Sequence, residues 1–134
     1  MRIAASIRNA GALHAATVTT SGVSKTIPIA ARQNGLGSSV NGGELLMLAL
    51  ATCYGNDLYR EAARLGIPLR GVEVLAEADF EGVGVAATNI RYRARVDSPA
   101  PVEDIQRLLA ETDAVAEIQN TVRSGVPVRC EAWS

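Results

Sequence analysis

The sequence predicts an α+β domain with a segregated, mainly antiparallel sheet, and three observations predict it. Residues 1 to 30 alternate apolar with small polar residues, Ile90, Tyr92, Ala94 and Val96 alternate strictly with Arg91, Arg93 and Arg95, and one long apolar run begins at Leu45. A doubly wound sheet needs strands and helices in regular alternation, which this chain lacks. Gly82-Val-Gly84 joins two strand patterns and does not open a helix, so it is not a dinucleotide fingerprint.

Turn signals at Asn9-Ala-Gly11 and Ser21-Gly22 divide the first thirty residues into two or three short antiparallel strands. Four glycines in the ten residues from Asn34 to Gly43 then make a flexible loop that feeds a helix, with Asn41 as its N-cap. The spacing predicts this helix from about Gly43 to Leu65. Its first half is apolar nearly all round and is expected at the centre of the molecule; Asp57, Arg60, Glu61 and Arg64 are expected to form a solvated face on its second half. Gly66 and Pro68 stop it.

Val72, Val74 and Ala76 share one side of the next strand, and the Arg91–Arg95 strand pairs with it as a hairpin. Its arginines are read as a solvated face opposite Glu73, Glu77 and Asp79 in preference to a nucleic-acid site. Two short helices are expected over Val102–Ala110 and about Asp113–Arg123, and then a closing strand over Val126–Trp133. The whole of residues 1–134 is read as one domain, with no repeat or linker.

With 134 residues, 48% of them hydrophobic, the chain can bury a sizeable core. Thirteen basic against 14 acidic residues give a net charge of -1, so no positive field draws it to nucleic acid or an anionic membrane. The apolar run to Cys53 is about half the length of a bilayer span, and Met1–Arg8 has no signal-peptide core, so the expected location is the cytoplasm. Two cysteines and one histidine make neither a disulfide framework nor a zinc spacing. No metal or cofactor is expected.

Glu44-Leu-Leu-Met-Leu-Ala-Leu-Ala-Thr-Cys53, together with Ile67-Pro-Leu-Arg-Gly-Val-Glu-Val74 and Thr121-Val-Arg-Ser-Gly-Val-Pro-Val128, resembles the OsmC/Ohr family over most of Asn41 to Val128. The resemblance implies an antiparallel sheet packed around a long central helix, in an intertwined homodimer. It also implies two interface sites, each with a cysteine pair that reduces organic or inorganic hydroperoxides. Cys53 takes the position of the peroxide-attacking thiol, and Ala116 stands where the family's second, resolving cysteine would be. The organic-hydroperoxide branch carries a glutamate ten residues before its reactive cysteine. Here that position is Gly43, and Glu44 lies nine before, turned to the opposite side of the helix at about 100° per residue.

A thiol on an apolar helix is ordinarily an inert small hydrophobe; the resemblance makes Cys53 the candidate catalytic residue. Peroxide attack needs thiolate, which Asp57, one turn on, disfavours, so a cationic partner is required. Arg32, Arg8 or an arginine of a second subunit are the candidates, each otherwise a surface charge. Glu44 is a further supporting candidate, and His14 could protonate a leaving hydroxide. Cys130 could resolve only if its Cα came within roughly 7 Å of that of Cys53.

The expected function is reduction of hydroperoxides by Cys53, with the sulfenic acid resolved by an external thiol reductant. The alternative is a non-catalytic homodimer of the same fold that binds an apolar small molecule or partner at its interface pocket. A structural dimer with a filled interface is the third.

Overall fold

The computed structural model describes residues 1–133 and divides into two compact units, Met1–Leu45 and Leu46 onwards. The first is an antiparallel meander of β1 (Ile3–Ala10), β2 (Leu13–Thr20) and β3 (Val23–Ile27), ordered β1-β2-β3. The expected turns at Gly11 and Ser21-Gly22 join them. The glycine-rich loop folds on itself through the Ala31–Ser38 bridge, and Gly35 is required there: a Cβ would meet the Gly11 carbonyl oxygen at 2.8 Å.

The helix α1 covers Gly42–Leu65. Its start is a reciprocal cap, in which Glu44 N–H donates to Asn41 Oδ1 (2.8 Å) and Asn41 N–H donates to Glu44 Oε1 (3.1 Å). Gly66, at φ +69°, ends it in the left-handed region.

The second unit contains the body of α1, the hairpin of β4 (Gly71–Asp79) and β5 (Thr88–Asp97), α2 (Val102–Val115) and α3 (Glu117–Ser124). The register sets Val72 opposite Val96, Val74 opposite Ala94 and Ala76 opposite Tyr92, so one face of the hairpin is apolar. That face packs on Tyr54, Leu58, Ala62, Leu108 and Ala116. The other face carries the expected charge ladder, with Arg93 at 2.9 Å and Arg91 at 3.5 Å from Glu77, and Arg95 at 2.5 Å from Glu73. Asp79 departs from that ladder and accepts a hydrogen bond from Asn89.

Three expectations are corrected. The buried part of α1 is its second half: Leu50, Tyr54, Asp57, Leu58, Glu61 and Ala62 are buried, whereas Leu45 and Leu48 are 40% and 60% exposed. Asp57 and Glu61 tolerate burial because Arg60 and Arg64, about half exposed, reach back to pair with them. Second, α2 runs through to Val115, since Glu111–Val115 contains no Gly or Pro, and the chain breaks at the buried Ala116 (φ -73°, ψ 107°). Third, Val126–Trp133 is not a strand. Among the described residues no strand edge pairs with it, and an alternating pattern without a partner has nothing to hold it extended.

Candidate active site

Residues four and seven positions apart lie on one face of a helix, which sets Cys53, Asp57 and Arg60 in a row along α1. The first turn of α3 meets that row from the side. Cys53 Sγ is 3.7 Å from Asp57 Oδ2 and 3.8 Å from Glu117 Oε2, so its single S–H can donate to either carboxylate. Arg60 Nη1 closes the group, 2.8 Å from Asp57 Oδ1 and 4.0 Å from Glu117 Oε1. The sulfur, Asp57 and Glu117 offer donor atoms within 4.8 Å of one another, a set that could bind a cation; the guanidinium of Arg60 already supplies positive charge there.

Burial pushes the Cys53 thiol above its ordinary range, and the charges of Asp57 and Glu117 push the same way; the backbone N–H of Ile118, in the first turn of α3, opposes them. Burial likewise raises the Asp57 carboxyl, against the pull of Arg60. Glu117 is lowered, first by its own backbone N–H and then by Arg60. Cys53 as a residue is partly exposed.

Behind the site, the buried Gln119 donates from Nε2 to the Leu50 carbonyl at 2.8 Å and ties α3 to α1. Tyr54 donates to the Leu109 carbonyl at 2.8 Å and stacks edge-on against Tyr92, whose hydroxyl donates to Asp113. Of these contacts, the Gln119 bond is the one that holds α3 against α1.

A family model described as OsmC-like protein matches residues 35–131, well over half of the chain. The chain belongs to the OsmC-like family. Solved structures agree on the fold. An organic hydroperoxide resistance protein OsmC from Legionella pneumophila is 17% identical with a TM-score of 0.61, over 92% of this chain and 90% of its own. One from Elizabethkingia anophelis is 16% identical with a TM-score of 0.62, over 92% and 89%, and an OsmC-like protein from Mycoplasma pneumoniae is 16% identical with a TM-score of 0.63, over 91% and 86%. No curated protein matches the sequence.

Among the other sequence candidates of this OsmC-like chain, Ala116 is fully buried at the junction of α2 and α3, directly before Glu117. Cys130 is an exposed free thiol in the irregular C-terminal segment. Glu44 is engaged in the cap of α1, and Arg32 donates from Nε to the Ser38 carbonyl at 3.0 Å. His14 Nδ1 lies 3.4 Å from the Asn9 amide, and Arg8 is opposite Ala15 on β1. His14 and Arg32 both line an apolar cleft of about 450 Å³ in the first unit, whose walls include Ile7, Ile27, Val40 and Leu45. Sequence reasoning missed Arg60 and Glu117 as site residues. The seven-residue spacing from Cys53 could have flagged Arg60; no local signal points to Glu117, 64 residues away.

No helix of the described residues is long and apolar enough to cross a membrane.

Proposed function

We propose that this OsmC-like protein is a thiol-dependent peroxidase for peroxide defence, in which Cys53 reduces hydroperoxides. The observation that carries the reading is a partly exposed cysteine whose sulfur meets Asp57, Glu117 and the Ile118 backbone N–H, with Arg60 paired to both carboxylates, and the resemblance gives this position to the family's reactive cysteine. The Cys53 sulfur attacks the terminal oxygen of ROOH. The O–O bond breaks, Cys53–SH becomes Cys53–SOH, and ROH leaves with the thiol proton. With alanine at position 116, the sulfenic acid is resolved from outside: one external thiol forms a mixed disulfide and releases water, and a second regenerates Cys53–SH as an external disulfide.

Stopped-flow mixing with cumene hydroperoxide and mass spectrometry of Cys53 test this. A gain of one oxygen on Cys53, lost on adding thiol, is expected; an unchanged thiol under excess peroxide overturns it.

The working unit in this reading is a homodimer. Leu45 and Leu48 on α1 and Ile3, Ile7 and Leu13 on the meander, 40 to 77% exposed, are large side chains that a second copy would cover. Leu48→Asp is then expected to shift the sedimenting species from dimer to monomer. The alternative, a non-catalytic binder of an apolar small molecule, draws on the cleft beside His14 and Arg32. Cys53→Ser separates the two, since it abolishes peroxide consumption in the first and leaves ligand binding intact in the second.

A further inference from the structure

We infer that Asp57 is the catalytic base and proton carrier of Cys53, held in place by Arg60. The inference rests on the peroxidase reading and adds to it the route of the proton. Three groups compete for that role, and geometry separates them. Glu117 also touches the sulfur, but its side chain is 69% exposed and is not fixed by the helix that bears Cys53. The Asp57 side chain is 8% exposed and sits one turn from Cys53 on the same helix; Oδ1 is bonded to Arg60, and Oδ2 faces the thiol in a carboxyl that also meets Glu117. Arg60 touches the carboxylates, so it positions Asp57 and takes no proton.

Basicity points the same way. Burial makes Asp57 a stronger base than an ordinary carboxylate, whereas Glu117 is made weaker. Among the described residues, the titratable groups that face the sulfur are Asp57 of α1 and Glu117 of α3, and Arg60 of α1 pairs with both carboxylates.

In the forward step the Cys53 proton passes to Asp57 Oδ2 as the S–O bond forms and the O–O bond breaks. Asp57 then returns that proton to the departing RO⁻, giving ROH and an ionised carboxylate ready for the next turnover. No further reactant is needed, because the peroxide is the oxidant and the sulfur the reductant.

Alkylation by iodoacetamide separates this role from a purely electrostatic one, because iodide leaves without a proton and the rate tracks only the thiolate population. The full chain and its Asp57→Asn, Asp57→Glu and Glu117→Gln variants are compared for alkylation and for single-turnover oxidation by cumene hydroperoxide. Asp57→Asn is expected to speed alkylation and to slow peroxide oxidation by about 100-fold, a loss typical of a missing general acid–base group. Asp57→Glu, which retains a carboxylate on that face, is expected to recover part of the peroxide rate. Glu117→Gln is expected to speed alkylation and to slow oxidation far less than Asp57→Asn does.

If Asp57→Asn accelerates both reactions, Asp57 only restrains the thiolate and the inference is wrong. If Glu117→Gln produces the slow oxidation instead, the base has been misassigned. A wild-type chain that is alkylated but untouched by peroxide overturns the peroxidase reading itself and this role with it, an outcome distinct from the other two.

Discussion

Cys53 Sγ and Asp57 Oδ2 are 3.7 Å apart on consecutive turns of α1, so the thiol of Cys53 faces a carboxylate. The carboxylate that opposes the thiolate electrostatically is also the group nearest to receive its proton.

That contact sets the pH dependence of Cys53. Burial, Asp57 and Glu117 all hold the thiol above its ordinary range, so alkylation should rise with pH through a midpoint higher than that of an exposed cysteine. Glu117→Gln removes an adjacent negative charge and should move the midpoint down. Rates of iodoacetamide labelling measured across the pH range check both; a midpoint below the ordinary cysteine value contradicts the geometry.

Asp57 links pH to stability with a definite sign. Its carboxyl is raised in the folded state, so between the unfolded and the folded value the folded chain binds more protons, and this contribution to stability falls as pH rises through that window. Asp57→Asn lacks the titration. The stability of the variant relative to the wild type should therefore improve from acid towards neutral pH, which urea unfolding at several pH values would register; a constant difference would contradict it.

Leu58 and Leu108 are fully buried in the cluster that supports the site. Replacing either by Ala should cost about 2–5 kcal/mol in unfolding free energy. Arg95→Ala, in the exposed ladder, should cost less than about 1 kcal/mol, because solvent screens that pair. Chemical denaturation of the three variants tests the contrast.

Burial, reinforced by the charge of Asp113, pushes the Tyr54 hydroxyl up to about 12. An ultraviolet titration should show a tyrosinate forming there, absent from Tyr54→Phe. The same variant loses the bond to the Leu109 carbonyl and about 1 kcal/mol of stability.

Much of the structure that depends on neighbours along the chain was legible in the sequence, although the end of α2 at Val115 was not. The turns at Gly11 and Ser21-Gly22, the Asn41 cap, the stop at Gly66 and the alternation of β5 depend on local conformational preference and on period, and all stand where the residues indicated. The position of Cys53 in an OsmC-like helix was legible for the same reason. Tertiary structure alone decided which half of α1 is buried, because an apolar segment is covered only where another layer exists to cover it, and because arginines can carry Asp57 and Glu61 inside. It decided that Val126–Trp133 has no strand to join. It also brought Glu117 across 64 residues to the sulfur, a contact set by how α3 docks on α1 and by no pattern within either segment.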